Sequence, residues 1–225
     1  MSRDSRPKGP RTHCIRCGTC CTKGGPTLHQ VDAPLFAKGR LGRRHVYTLR
    51  KGEVVRNIDE NLMVLDQEMI KLKGAGETWS CIFYDEDRNA CRIYADRPLE
   101  CRALQCWDLR ELKKAMVEPC LQRNDLIKPD NGLRQLVEAH EMRCSYAVLE
   151  SSVRRLGGAE ADVAVQEILD LMQYDHTMRP LLEEKLKIDP AEMDFLFGRP
   201  LTTTIRMFGL RIKEEDGAFT LLPID

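Results

Sequence analysis

A chain of 225 residues with 35 basic and 35 acidic side chains is neutral overall, and its 42% hydrophobic content excludes a disordered or fibrous protein. No apolar run approaches the ~20 residues of a bilayer-spanning helix, and residues 1–12 are polar and basic, without the apolar core of a secretory signal. The location expected is therefore cytoplasmic, where ten cysteines are better explained by metal than by disulfides.

The charge is unevenly spread. Residues 1–56 hold 13 Lys and Arg against three acids, Asp4, Asp32 and Glu53. A basic end of this kind can contact nucleic acid or an acidic protein partner. No aromatic-studded basic helix or RNA-binding motif accompanies it, so neutralisation within one fold is the preferred explanation.

In chain order, residues 1–12 read as a disordered lead-in. The run Cys14-Ile15-Arg16-Cys17-Gly18-Thr19-Cys20-Cys21 follows, and Lys23-Gly24-Gly25-Pro26 is a loop. Asp32-Ala33-Pro34 predicts an N-cap with Pro in the first turn of a short helix ending near Gly39. Val46–Leu49 and Val54-Val55 predict a hairpin about Lys51-Gly52. Residues 62–73 fit neither the helical nor the strand period. Residues 79–84 predict a strand, 85–89 a turn, and Cys91–Tyr94 a returning strand. Asp96-Arg97-Pro98 opens a turn or helix carrying Cys101 and Cys106, and 107–118 predicts a helix stopped by Pro119. A long helix is expected from an Asn131 N-cap to Leu156, then two helical segments at 161–172 and 175–187. A short helix capped by Asp189 and a terminal hairpin about Asp216-Gly217 complete the chain. The expected fold class is α+β. An irregular, metal-stapled half with short hairpins (13–130) follows the lead-in (1–12) and packs on a helical half with a terminal hairpin (131–225).

The first four cysteines carry the chemistry. Thiolates are soft anionic ligands, and three sulfurs three residues apart can wrap one metal centre. Gly18 after Cys17 permits a positive φ that turns backbone N–H groups toward the sulfurs. Cys20 and Cys21, side by side, face different ways, so Cys21 can reach a second centre. Cys81, Cys91 and Cys101 follow at ten-residue intervals and Cys106 five later, a spacing suited to a site closed by separate chain segments.

The order Cys14-x2-Cys17-Gly18-x-Cys20-Cys21, then Cys81, then Cys91-x-Ile93-Tyr94-x2-Arg97-Pro98-x2-Cys101-Arg102, resembles the YkgJ-type cysteine-cluster proteins, described as zinc- or iron-chelating. The likeness covers roughly residues 14–106. It implies that Cys14, Cys17, Cys20, Cys21, Cys81, Cys91 and Cys101 are the ligands. Members commonly carry an aromatic-Pro pair soon after the Cys-Arg, where this chain has Leu104-Gln105-Cys106; Cys106 is thus an eighth ligand or a local substitution. The resemblance extends to flagellin lysine N-methylases, whose related cluster is thought to hold iron and sulfur. That implies an alternative as a redox or group-transfer enzyme, although no glycine-rich methyl-donor motif is visible. Arg97 and Arg102 place positive charge where several thiolates would leave a net negative centre, and so are expected to contact the cofactor. A Cys-x2-Cys-Gly turn suits zinc or a single iron. Cys-x2-Cys-x2-Cys also opens many iron–sulfur ligand sets, but the usual closing Cys-Pro is missing. An iron–sulfur cluster is favoured slightly over zinc, with a structural or redox role.

A weaker constellation lies downstream. His140 and Cys144 are four apart on one helical face, and with Cys120 they could form another site. His140-Glu141-x2-Cys144 is a distant echo of a zinc-protease helix, but the second His is missing, and a buried core His and Cys is preferred.

Overall fold

A computed structural model of the chain describes residues 14–76, 78–129 and 132–224. The expected lead-in and the N-cap Asn131 lie outside the described residues. The helices are α1 (Ala33–Ala37), α2 (Leu99–Ala103), α3 (Arg110–Ala115), α4 (Arg123–Leu126), α5 (Gly132–Cys144), α6 (Tyr146–Arg154), α7 (Ala161–Leu186), α8 (Met193–Phe197) and α9 (Leu201–Thr204). The strands are β1 (Val46–Leu49), β2 (Val54–Arg56), β3 (Leu62–Val64), β4 (Met69–Leu72), β5 (Tyr84–Asp85), β6 (Ala90–Cys91), β7 (Leu210–Glu215) and β8 (Ala218–Pro223). They form four two-stranded sheets, β1-β4, β2-β3, β5-β6 and β7-β8, so the architecture is α+β. No described helix is long and apolar enough to cross a membrane.

The chain divides into two compact units, each assembled from two stretches. The first comprises the described residues up to 41 together with 72–120; the second comprises 42–71 together with 121 onward.

In the second unit, Cys144, Tyr146, Leu149, Ile168, Leu171, Met172, Leu201 and Ile205 form one buried cluster. Ile212, Phe219 and Leu221 of the β7-β8 hairpin pack against it. That hairpin has the expected Asp216-Gly217 turn, with φ of 51° and 79°, the two positive values that a tight two-residue turn requires. Asp189 caps as expected, accepting from the Ala191 N–H at 2.9 Å.

Five sequence expectations are corrected here. The hairpin expected between 46–49 and 54–55 does not form: β2 pairs with β3 in the register Val54↔Val64, while β1 pairs with β4. The turn between β1 and β2 is made by two fully buried charged residues, Arg50 and Glu53. The Arg50 N–H donates to the Glu53 carboxylate (2.9 Å) and the Glu53 N–H to the Arg50 carbonyl (3.1 Å). Residues 62–72, ambiguous by period, supply both partner strands.

The long helix expected to Leu156 is broken at Ser145. That residue is extended (ψ 147°) and caps α6 by accepting from the Val148 N–H. The Cys144 carbonyl instead accepts from Arg50 Nη2 at 2.6 Å. Residues 161–187, expected as two segments, are one helix that runs through Pro180. The buried Asp175 accepts from Arg179 and from the Leu201 N–H, each at 2.9 Å. Those tertiary bonds hold a poor helix former in place. In the first unit, the strand expected at 79–84 shrinks to Tyr84–Asp85, with Cys81 in an isolated bridge to Gly74. The helix expected over 107–118 shrinks to α3, because Asp108 turns back on Arg110.

His140 is fully buried, with Nε2 2.9 Å from Asp175 Oδ1 and Nδ1 without a hydrogen-bond partner. Burial holds the His140 imidazole below its ordinary value. Burial alone would raise Asp175, but His140, Arg179 and the Leu201 N–H together hold its carboxyl at about 2. Both groups bind fewer protons in the folded than in the unfolded chain. They therefore cost stability as pH falls, first below 6.5, where the unfolded imidazole charges, then from 3.8 toward about 2. In the first unit His29 is raised by the Glu100 carboxylate and acts with the opposite sign. We therefore expect melting temperature to fall more steeply between pH 7 and 5 in the wild type than in His140→Gln; parallel curves would contradict this.

Candidate metal centre

The ligand loop begins the first unit. Gly18 has φ +75° and its carbonyl accepts from the Cys21 (2.8 Å) and Thr22 (3.1 Å) N–H groups, which turns Cys20 and Cys21 back over the Cys17 end. The Cys14 sulfur accepts from the Arg16 N–H at 3.4 Å, and Cys17 Sγ lies 3.3 Å from Thr19 Oγ1. A Cβ on Gly18 would stand 1.9 Å from the Tyr84 hydroxyl, which itself donates to Asn89 Oδ1 at 2.6 Å. Glycine is needed here for conformation and for the close approach of Tyr84. Gly18→Ala is expected to lower the stability of the first unit by about 1–3 kcal/mol and to weaken metal retention. An unchanged melting temperature and metal content would count against this.

Three other segments bring further thiols to this loop. The Cys81 N–H donates to the Cys21 carbonyl at 2.7 Å, tying the second segment to the first. Cys91 ends β6, whose pairing with β5 sets it opposite Tyr84. Cys101 lies in α2, whose position is fixed by buried polar groups that the sequence did not single out. Asp32 is fully buried; its carboxylate accepts from the Leu99 N–H (2.9 Å) and the His29 N–H (3.1 Å). It thus anchors α2 instead of capping α1, where Pro34 still occupies the first turn as expected. Glu100, next to Cys101, accepts from the Thr27 N–H at 2.8 Å and lies 3.2 Å from His29 Nε2.

The electrostatics follow from that assembly. The neighbouring Cys21 side chain, then backbone bonds and the Arg97 charge, lower the exposed Cys20 thiol to about 6 against some desolvation. Cys21 is correspondingly pushed up by that contact and by burial, with Cys20, Cys91 and Cys101 adding to the shift. Burial raises Cys101 to about 12, reinforced by Cys81, Cys91 and Cys20. Burial also raises Cys81, with Cys91 and Cys20 contributing. Tyr84 is raised by desolvation, then by Cys21, Glu86, Cys17 and Cys20. Cys21, Cys81 and Cys101 each feel the charge of both Cys20 and Cys91. A soft sulfur donor set of this kind suits zinc or iron. As placed, no group of three or more His, Cys, Asp or Glu among the described residues is arranged to hold a metal ion; the sulfurs are neighbours rather than a closed shell.

Cys14 and Cys106 are exposed, the first at the start of the loop and the second past the end of α2. Arg97 is within electrostatic reach of Cys20. It also donates from Nε to the Tyr94 carbonyl at 3.0 Å, and Arg102 donates to the Arg97 carbonyl at 2.7 Å. Both arginines brace the backbone between Cys91 and Cys101. Tyr84 and Tyr94, missed in the sequence, lie against the loop itself. The Tyr94 signal was present in the Ile-Tyr-x2-Arg-Pro string.

Cys120 belongs to the first unit and pairs through its backbone with His29. His140 and Cys144 belong to the second. His140 is committed to Asp175, and burial raises the Cys144 thiol to about 12. Glu141 is ion-paired with Arg50, so the zinc-protease echo places no free general base on this helix.

No curated protein and no solved structure matches the chain. Residues 13–121 match the CxxCxxCC family model, described as "Putative zinc- or iron-chelating domain". That interval contains Cys14–Cys21, Cys81, Cys91, Cys101, Cys106 and Cys120.

Proposed function

We propose that the first unit holds a thiolate-bound iron–sulfur or zinc centre, and that this centre staples its loop-rich segments together in a reducing, cytoplasmic setting. The reading is supported by the order of the cysteines within the matched interval and by the tie of one later segment to the loop, where the Cys81 N–H donates to the Cys21 carbonyl at 2.7 Å. Cys17, Cys20, Cys21, Cys81, Cys91 and Cys101 are the inner candidates. Cys14 and Cys106 are the outer candidates, available if more than one metal is held. Arg97 and Arg102 would offset the negative charge of a multi-thiolate centre. When bound, such a centre supplies cross-links between segments and, if iron, a one-electron couple.

The test is anaerobic purification of the full chain followed by metal and sulfide analysis and an absorption spectrum. Stoichiometric iron with acid-labile sulfide and visible charge-transfer bands would establish the cluster. Stoichiometric zinc in a colourless protein would establish the zinc form and a structural role. A protein with neither metal would overturn the proposal.

A further inference from the structure

Two guanidinium groups lie over the Tyr94 ring. Arg97 Cζ is 3.7 Å from the ring centroid and Arg16 Cζ is 4.4 Å from it. Arg16 is the central residue of Cys14-x2-Cys17, and Arg97 lies in the segment leading to Cys101. One aromatic face thus links the ligand loop to the chain that carries Cys91 and Cys101.

Two further observations give the contact a direction. Arg16 has φ +54°, a left-handed conformation that a long side chain adopts only when its surroundings compensate. Its N–H reaches the Cys14 sulfur, so releasing Arg16 from that conformation would swing Cys14 relative to Cys17. Arg97 is likewise fixed, by its bond to the Tyr94 carbonyl and by the Arg102 donor to its own carbonyl. On the other side of the loop, Tyr84 occupies the space that any Cβ on Gly18 would need. The loop is held at two points, Gly18 and Arg16, and at Arg16 the hold depends on an aromatic face rather than a hydroxyl.

We propose that Tyr94 is a positioning residue for the metal centre: in contact with the Arg16 and Arg97 guanidinium groups, it clamps the Cys14–Cys21 loop onto the Cys91–Cys101 segment so that their sulfurs can close on one metal. This rests on the metal-binding reading above. Two guanidinium–ring contacts at partly exposed positions correspond to about a fivefold to thirtyfold difference in metal retention.

The experiment compares the metal-loaded full chain with Tyr94→Leu and Tyr94→Phe, each challenged with excess chelator while metal release is followed. Tyr94→Leu is expected to release metal about fivefold to thirtyfold faster than wild type. Tyr94→Phe keeps the ring face and is expected to release at the wild-type rate. Hydrogen exchange of the metal-free proteins supplies a second readout: residues 14–22 should exchange faster in Tyr94→Leu, while amides of the second unit stay unchanged. If wild type binds metal and Tyr94→Leu releases it at the same rate, the clamp is overturned and the metal reading stands. If Tyr94→Phe behaves like Tyr94→Leu, the aromatic face is not the acting group and the clamp is again overturned. A wild type that binds neither zinc nor iron removes the metal reading and the inference together.

Discussion

Cys101→Ser is expected to lose the metal and unfold the first unit while leaving the second folded. Metal-binding energies for structural sites reach about 10–16 kcal/mol, comparable to or larger than the total stability of an ordinary domain at about 5–15 kcal/mol. The first unit depends heavily on such a term, since its described regular structure is short: three helices of five or six residues and one two-residue hairpin. The choice of Cys101 makes the result interpretable. α2 is anchored by Asp32 and by Glu100 with His29, independently of the thiol, so the serine should not disturb the helix except through metal loss. Metal content, together with hydrogen exchange over 14–41 and 72–120, reads the outcome. Retained metal and unchanged exchange would remove Cys101 from the ligand set. Cys144→Ser is the matching control; it should cost packing in the second unit and leave metal content untouched.

The second large effect is expected at Arg50, one of the largest fully buried side chains. Its guanidinium pairs with Glu141, donates to the Cys144 carbonyl at 2.6 Å, and lies 4.9 Å from the Tyr146 ring centroid. Its side-chain carbons fill the space that a Cβ on Gly198 would need. Arg50→Ala therefore removes packing, strands the Cys144 carbonyl and leaves Glu141 with Arg123 alone. A loss of about 3–5 kcal/mol is expected, the range for breaking one side of a buried ion pair. Chemical denaturation of the second unit measures it. Arg50→Met should recover part of the loss, because it refills the space of the arginine stem while Glu141 keeps Arg123. A loss below about 1 kcal/mol in Arg50→Ala would show the network to be solvent-relaxed and the argument wrong.

The sequence was most informative where chemistry or turn geometry is local. The cysteine order pointed to the family later matched over 13–121. Asp189 as a cap and Asp216-Gly217 as a hairpin turn were legible because each acts within a few residues. Two of the failures, at α5 and α7, share one cause: a buried polar side chain that acts at long range. Arg50 takes a carbonyl 94 residues away and so ends α5 where the apolar period continues. Asp175 looked like a break between two helices until its partners His140, Arg179 and Leu201 were in view. His29, beside Glu100 and Asp32, belongs to the frame that carries Cys101. At the site, the contact of Tyr84 with Gly18 left no trace in the sequence, because it spans 66 residues and has no period.

The interleaving of the two units has a consequence during synthesis. Residues 42–71 leave the ribosome before any of 72–120, yet the unit they belong to is completed only by 121–224. At about 5–20 residues per second, β2 and β3 wait several seconds or more for that later stretch. The ligand-bearing unit can close first around this unfinished insertion, as soon as residue 120 has cleared the exit tunnel. A nascent chain arrested shortly after that point would already contain every candidate ligand from Cys14 to Cys106. Metal capture can therefore precede completion of the helical unit, and metal starvation would act on the chain while it is still being made.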